Sequence, residues 1–126
     1  MSDGLLAELL GSRAAEAVLL HLYHHGETYG RAIAGDMGVS LFPVQRQLDK
    51  FERLGILVSR EAGRTRLYQW NPKSLIAKKV EELVKVSYEG IPLALRESRF
   101  AQRRRPRAKG KPVLQEKPDR KTRSSS

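Results

Sequence analysis

Cysteine is absent from the 126-residue chain, which removes disulfides, thiolate metal ligands and cysteine nucleophiles together. Aromatic residues make up only 6% of the sequence, but the hydrophobic share of 40% is enough for one small domain. No apolar run approaches the length needed to cross a bilayer, because histidines interrupt the longest one near Leu19. The first ten residues contain no Lys or Arg, so we predict no signal peptide, no membrane partner and a cytoplasmic location.

The sequence also lacks the motifs of common catalytic chemistry. It has no glycine-rich phosphate loop, no paired carboxylates in an apolar setting and no Ser/His/Asp grouping with local support. We therefore predict a protein that is not an enzyme and that needs no cofactor.

The formal net charge of +10 is concentrated at one end of the chain. From Arg96 onward there are 12 Lys or Arg against 3 Asp or Glu, whereas the preceding 95 residues hold 12 basic and 11 acidic residues. We therefore divide the chain into a domain at 1–95 and a basic tail at 96–126. From residue 102 the tail has almost no apolar residues, so we predict that it is disordered when free.

Two apolar patterns at helical spacing precede the centre of the chain. The first, a short one, has leucines at 5, 6, 9 and 10 that need to bury against the domain or a second subunit. The second runs from Arg13 and stops at Gly26. Three histidines, His21, His24 and His25, lie near the end of this second helix, and His21 and His25 share one face. This arrangement suggests either a metal site or imidazoles that complement the helix dipole. No acidic residue lies at a matching spacing, so we predict no metal site.

The stretch from Tyr29 to Leu54 has the pattern of two helices joined by a tight turn. Gly38 can leave the first helix with a positive φ, and Ser40 can cap the second. The inward residues are Ile33, Ala34 and Met37 in the first helix, then Val44, Leu48, Phe51 and, as a further candidate, Leu54. The outward residues of the second helix are Gln45, Arg46, Asp49, Lys50, Glu52 and Arg53. The pattern fits a helix-turn-helix or an ordinary αα-hairpin.

A β-hairpin is predicted immediately after this helix pair. An extended run begins at Leu57, residues 62–64 resemble a turn, and alternation resumes from Thr65 to Trp70. We place Arg60, Arg64 and Arg66 at its tip, opposed only by Glu61. The predicted core of the domain comprises Val18, Ile33, Val44, Leu48, Leu57 and either Tyr68 or Leu67.

Ser74 is positioned to cap a further helix, which Gly90 and Pro92 end before a short helical segment at 93–100. Its apolar stripe either covers the domain's own core or pairs with a second copy of the chain. We favour pairing, because a small domain gains buried area by dimerising. The stripe consists of Leu75, Ile76, Val80, Leu83, Val84 and Ser87.

Over about residues 9–71 the chain resembles the winged-helix transcriptional regulators of the ArsR-like kind. The resemblance rests on Ile33-Ala34, Met37-Gly38-Val39-Ser40, Val44, Leu48, Leu54-Gly55-Ile56-Leu57-Val58, Gly63-Arg64-Thr65-Arg66-Leu67-Tyr68 and Asn71-Pro72. It implies a winged helix-turn-helix fold, a recognition helix from Leu41 in the major groove, a wing on the DNA backbone and a homodimer. The chain departs from the family by having Leu41-Phe42-Pro43 where small polar residues usually begin that helix. It also lacks the cysteines of the metal-sensing members.

We predict a sequence-specific regulator that binds double-stranded DNA. Glutamine suits adenine and arginine suits guanine, whereas wing and tail cations attract phosphate without regard to sequence. Base or groove contacts are assigned to Ser40, Leu41, Phe42, Gln45, Arg46 and Lys50. Backbone contacts are assigned to Tyr29, Arg31, Arg60, Arg64 and Arg66, and tail contacts to Arg103, Arg104, Arg105, Arg107, Lys109 and Lys111.

Two other functions fit the same sequence. Winged helices also serve as protein-interaction modules, and the apolar pair Leu41-Phe42 at the start of the recognition helix supports that alternative. The basic tail alternatively binds RNA, with the folded part acting as a dimerising unit, or only keeps the protein soluble.

Overall fold

A computed structural model describes residues 4–100, apart from the side chains of 97–99. Within that range the chain is mainly helical with a small antiparallel sheet, which confirms the predicted α+β class. The elements are α1 (Leu5–Leu10), α2 (Arg13–His25), β1 (Glu27–Thr28), α3 (Gly30–Met37), α4 (Leu41–Arg53), β2 (Leu57–Ala62), β3 (Thr65–Trp70), α5 (Leu75–Glu89) and α6 (Leu93–Phe100).

The helices begin and end where capping residues allow it. Ser12 Oγ accepts a hydrogen bond from the Ala15 amide at 3.0 Å, and Ser74 Oγ accepts one from the Ala77 amide at 3.0 Å. Gly38 ends α3 with φ of 67°, a left-handed conformation that glycine adopts without a steric penalty. The predicted cap at Ser74 and the tight turn between α3 and α4 are therefore confirmed, whereas Ser40 precedes α4 as predicted but its side chain forms no capping hydrogen bond.

Helix α2 lies at the centre of the core and packs against α1, α3, α4 and α5. Every member of the predicted core is buried, including both Leu67 and Tyr68. Val18, Ile33, Val44 and Leu48 are completely inaccessible to solvent. The predicted inward residues Val44, Leu48 and Phe51 are thus correct, and they fix which face of α4 remains outside.

The sheet has three strands in the order β1-β3-β2, where the sequence predicted only the β2–β3 hairpin. In β1, Glu27 pairs with Gln69 and Thr28 pairs with Tyr68. The hairpin register runs from Leu57 opposite Trp70 to Ala62 opposite Thr65, which leaves a two-residue turn at 63–64. Gly63 takes φ of 65° in this turn.

Two predicted apolar stripes require correction. Leu54 does not lie on the inward face of α4, because the helix ends at Arg53 and the Leu54 side chain is 58% exposed. The predicted α5 stripe mixes two faces of the helix. Val84 is buried and Val80 partly buried, whereas the exposed side includes Leu75, Ile76 and Leu83. The polar Ser87 is half-buried.

The C-terminal part of the described chain belongs to the core. The proposed domain boundary at residue 95 falls inside α6, whose final residue, Phe100, is fully buried. No helix among residues 4–100 is both long and apolar enough to span a membrane. The tail contacts assigned to Arg103, Arg104, Arg105, Arg107, Lys109 and Lys111, and the predicted disorder after residue 101, lie outside the described residues.

Candidate nucleic-acid interface

Helix α4 is held in place by one buried face, so its opposite face is presented to solvent. Val44, Leu48 and Phe51 anchor it in the core between α2 and α3. The first residue of α3 lies close against it, since a Cβ added to Gly30 would stand 2.7 Å from Gln45 Oε1 and 3.3 Å from Leu41 Cδ1. The absence of a side chain at Gly30 therefore allows the two helices to approach closely.

The outward face of α4 combines cations with an exposed aromatic ring. Phe42 is 70% exposed, and the Arg46 guanidinium carbon lies 5.7 Å from the centre of its ring. Arg53 is exposed and Lys50 is partly exposed, with its Nζ 5.3 Å from the centre of the Phe51 ring. Asp49 is the exposed carboxylate among them. This face therefore has a net positive charge although the domain as a whole is nearly neutral.

Glu52, the other acidic residue of α4, is directed toward the sheet. Ser59 Oγ donates a hydrogen bond to Glu52 Oε2 at 2.6 Å, and Arg66 Nη1 donates to Ser59 Oγ at 2.8 Å. The Glu52 carboxylate is therefore hydrogen-bonded to Ser59 of β2. This arrangement leaves the outward cations opposed mainly by Asp49.

Gln45 lies between the buried and exposed faces of α4. Its Nε2 donates to Tyr68 Oη at 3.3 Å, and the side chain is half-buried. Burial, with the nearby carboxylates of Asp49 and Glu52, raises the pKa of Tyr68, so this phenol stays protonated at neutral pH. One N–H of the Gln45 amide is therefore directed toward β3 in this structure.

The three arginines assigned to the hairpin tip lie in different environments. Only Arg64 is in the turn at the tip, where it is exposed. Arg60 pairs with Glu27 at 3.1 Å, and Arg66 pairs with Glu61 at 2.6 Å. The expectation that Glu61 alone opposes them is wrong, because β1 brings Glu27 beside Arg60. Both ion pairs are exposed and contribute little stability, so phosphate groups can compete for these arginines.

The remaining predicted contact residues lie near the starts of the two helices. Tyr29 is the half-buried N-cap residue of α3, and Arg31 is exposed in its first turn. Ser40 precedes α4 without capping it through its side chain, so its exposed hydroxyl remains available to a ligand. Leu41 is half-buried.

A second polar cluster lies between α2 and α3, and sequence reasoning missed one of its members. His21 Nε2 lies 2.7 Å from Asp36 Oδ2, and His21 Nδ1 lies 2.8 Å from Thr28 Oγ1. His25, one helical turn after His21, completes the cluster. Asp36 is 15 positions from His21 and on another helix, so residue spacing gives no signal for their contact.

The described residues therefore form a small α+β domain in which a close helix pair and a β-hairpin present exposed cations and one aromatic ring. Such a surface can bind phosphate through its cations and contact base edges from α4. No family model, no curated protein and no solved structure matches this chain.

Proposed function

We propose that this protein is a sequence-specific DNA-binding transcriptional regulator with a winged helix-turn-helix, similar to the ArsR-like regulators. The observation that carries the proposal is the two-sided character of α4. Its inward face is buried at Val44 and Leu48, and its outward face exposes Arg46 and Arg53 beside the partly exposed Lys50. A helix anchored in this way is suited to enter the major groove of duplex DNA.

In this proposal, direct reading of bases belongs to the outward side chains of α4. Arg46 has the geometry to bind guanine O6 and N7 with two hydrogen bonds, and the exposed Phe42 ring can contact a thymine methyl. Lys50 supplies a further cation to a base edge or a phosphate. Gln45 would bind adenine through both polar atoms of its amide only after a rotation that replaces its hydrogen bond to Tyr68 with one to the base.

Phosphate contacts position the protein on the duplex. Arg64 at the wing tip and Arg31 on α3 are exposed, and within residues 4–100 neither forms an ion pair. Arg60 and Arg66 can add to them by exchanging a carboxylate for a phosphate, which requires little reorganisation of exposed pairs. The basic tail provides further sequence-independent attraction.

We include a homodimer in the proposal. The outer side of α5 exposes Leu75, Ile76 and Val86, and α1 exposes Leu5 and Leu9. Helices α1 and α5 contact each other within the domain. A two-fold interface formed by α1 and α5 would cover these apolar side chains. We expect the two recognition helices of such a dimer to lie about 34–36 Å apart, one turn of duplex.

The test is selection of bound fragments from random duplex DNA, followed by anisotropy titrations on a selected site and on a random duplex. Arg46→Ala should weaken binding to the selected site by roughly 1–3 kcal/mol more than binding to the random duplex, because a bidentate base contact is lost. Equal losses on both DNAs would reduce Arg46 to a phosphate contact.

Lys85→Ala is the matched control, since it removes an exposed cation that lies on α5, outside the proposed DNA interface. We expect it to leave the preference between the two DNAs unchanged. If selection enriches no sequence at all, the proposal of sequence-specific recognition fails.

The exposure of Phe42 supports protein interaction as a second candidate function. A protein-binding α4 would show no salt-dependent affinity for duplex DNA once the tail is removed. A protein that binds RNA through its tail would prefer single-stranded RNA and lose that preference on the same truncation. Titrations of both nucleic acids with the full chain and with residues 1–101 distinguish these outcomes from the proposed one.

A further inference from the structure

The cluster between α2 and α3 has the composition of a transition-metal site. His21 and His25 lie one turn apart on α2, and Asp36 approaches them from the last turn of α3. One nitrogen from each imidazole and one carboxylate oxygen all lie within 4.8 Å of one another. Zinc bound at about 2.0–2.1 Å from each ligand holds ligand atoms roughly 3.4 Å apart, so small side-chain rotations would close the site.

The surroundings of His21 match those of a metal-binding histidine. Its second nitrogen is held by Thr28 Oγ1 at 2.8 Å, and both residues are buried. Metal-ligating histidines typically use the nitrogen that does not bind the metal for such a hydrogen bond, which fixes the orientation of the ring. In the metal-bound form, His21 Nδ1–H would donate its hydrogen bond to Thr28 Oγ1, and Nε2, which lies 2.7 Å from Asp36 Oδ2 in this structure, would be the ligand atom.

One side of the cluster is shielded and the other is open. The Phe100 ring lies edge-on to both imidazoles, with centroids 6.2 Å from His21 and 6.4 Å from His25. Asp36 lines a cavity of about 720 Å³ between α2, α5 and the start of α6. The cluster meets this cavity at the Asp36 carboxylate, whereas His21 and His25 do not line it.

We propose that His21, His25 and Asp36 bind a borderline divalent transition metal, of which Zn²⁺ is the representative ion. Two imidazoles and a carboxylate suit such ions, whereas the absence of cysteine excludes the thiolate sites preferred by softer metals. The bound ion joins α2 to α3, the helix that leads through Gly38 into α4. One ligand of the site therefore lies in the helix that precedes the proposed recognition helix.

The experiment is titration of the metal-free full chain with Zn²⁺ by calorimetry, with Co²⁺ absorption spectra as a report of ligand geometry. We expect saturable one-to-one binding and a rise in the thermal unfolding midpoint with Zn²⁺. His25→Gln and Asp36→Asn, which alter partly exposed ligands, should each weaken Zn²⁺ binding at least about tenfold. Thr28→Val should weaken it by about 10–100-fold without removing a ligand.

His24→Gln is the matched control, because this histidine is on the same helix but its Nδ1 faces the Tyr88 hydroxyl at 2.6 Å. It should retain the affinity of the natural sequence. Circular dichroism shows whether each variant is folded. Imidazole ¹⁵N shifts of the unsubstituted chain identify the ligands even where a variant fails to fold.

Two results would overturn the proposal. One is the absence of saturable one-to-one binding, which would make the cluster a hydrogen-bonded network only. The other is an affinity that Asp36→Asn leaves unchanged, with no shift at His21 or His25. Zn²⁺ binding is measured without DNA, so neither result bears on the proposed regulatory function.

Discussion

At the scale of single residues, Leu48 is one of the side chains that anchor α4 in the core. It is completely buried against α2 and α3, so truncation leaves a cavity that a helix packed on both sides cannot close. We expect Leu48→Ala to lower the free energy of unfolding by about 2–5 kcal/mol in urea denaturation.

Leu54→Ala is the control for that measurement. It removes the same atoms from a side chain that is 58% exposed, so its effect should stay within about 0.5 kcal/mol. If Leu48→Ala also lowered the free energy of unfolding by less than about 0.5 kcal/mol, the assigned register of α4 would be wrong.

Residue-level prediction from the sequence succeeded for the core residues, was wrong for Leu54 and part of the α5 stripe, and was incomplete for polar contacts. Periodicity identifies Val44 and Leu48 as inward, because burial follows the 3.6-residue turn of the helix. It also assigns Gln45 to the outward set, since a helical period does not show that the Tyr68 hydroxyl from β3 meets this amide. The contact between Asp36 and His21 depends likewise on how two helices pack.

At the scale of elements, the outer side of α5 governs the proposed assembly. Ile76 is 63% exposed on this helix, so a charge there is tolerated in the monomer but not in an apolar interface between two copies. We expect Ile76→Glu to convert a dimer into a monomer, with sedimentation velocity over a concentration series as the measurement.

The control Lys85→Glu introduces the same side chain at an exposed polar position of the same helix and should leave the dimer intact. If the unsubstituted chain sediments as a monomer at every concentration, the dimer is wrong. In that case a palindromic DNA site with half-sites one duplex turn apart is no longer expected.

The elements that local signals define were predicted, and the element without such signals was not. Ser74 identifies a helix start because its hydroxyl satisfies a free amide, and Gly38 marks a helix end through its positive φ. Strand β1 has only two residues and acquires its partners from β3, far along the chain. No periodicity can be read from two residues.

At the scale of the whole molecule, the separation of charge predicts how binding responds to salt. Removing residues 102–126 takes away 10 Lys or Arg and 2 Asp or Glu. If half of those cations neutralise phosphates, the slope of log affinity against log salt should flatten by about 4–5 units on duplex DNA. Preference among sequences should change little, because phosphate contacts carry no direct sequence information.

A full-length variant in which the same 10 cations become serine separates charge from length. It should reproduce the flattened slope of the truncated chain in titrations across salt concentrations. An unchanged slope in both would show that the tail only keeps the protein soluble. The outward cations of α4, with Arg64 and Arg31, would then account for all attraction to DNA.

The pairing of β1 with β3 has a consequence for the order of folding. Thr28 and Tyr68 are 40 positions apart, and the loop that their pairing closes contains α3, α4 and β2. Closing a flexible loop of that length costs about 3 kcal/mol of chain entropy. Two paired residues contribute about two backbone hydrogen bonds of about 1 kcal/mol each, which is less than that cost. We therefore expect the pairing of β1 with β3 to form only after α3 and α4 have packed, because packed helices shorten the flexible loop that the pairing closes.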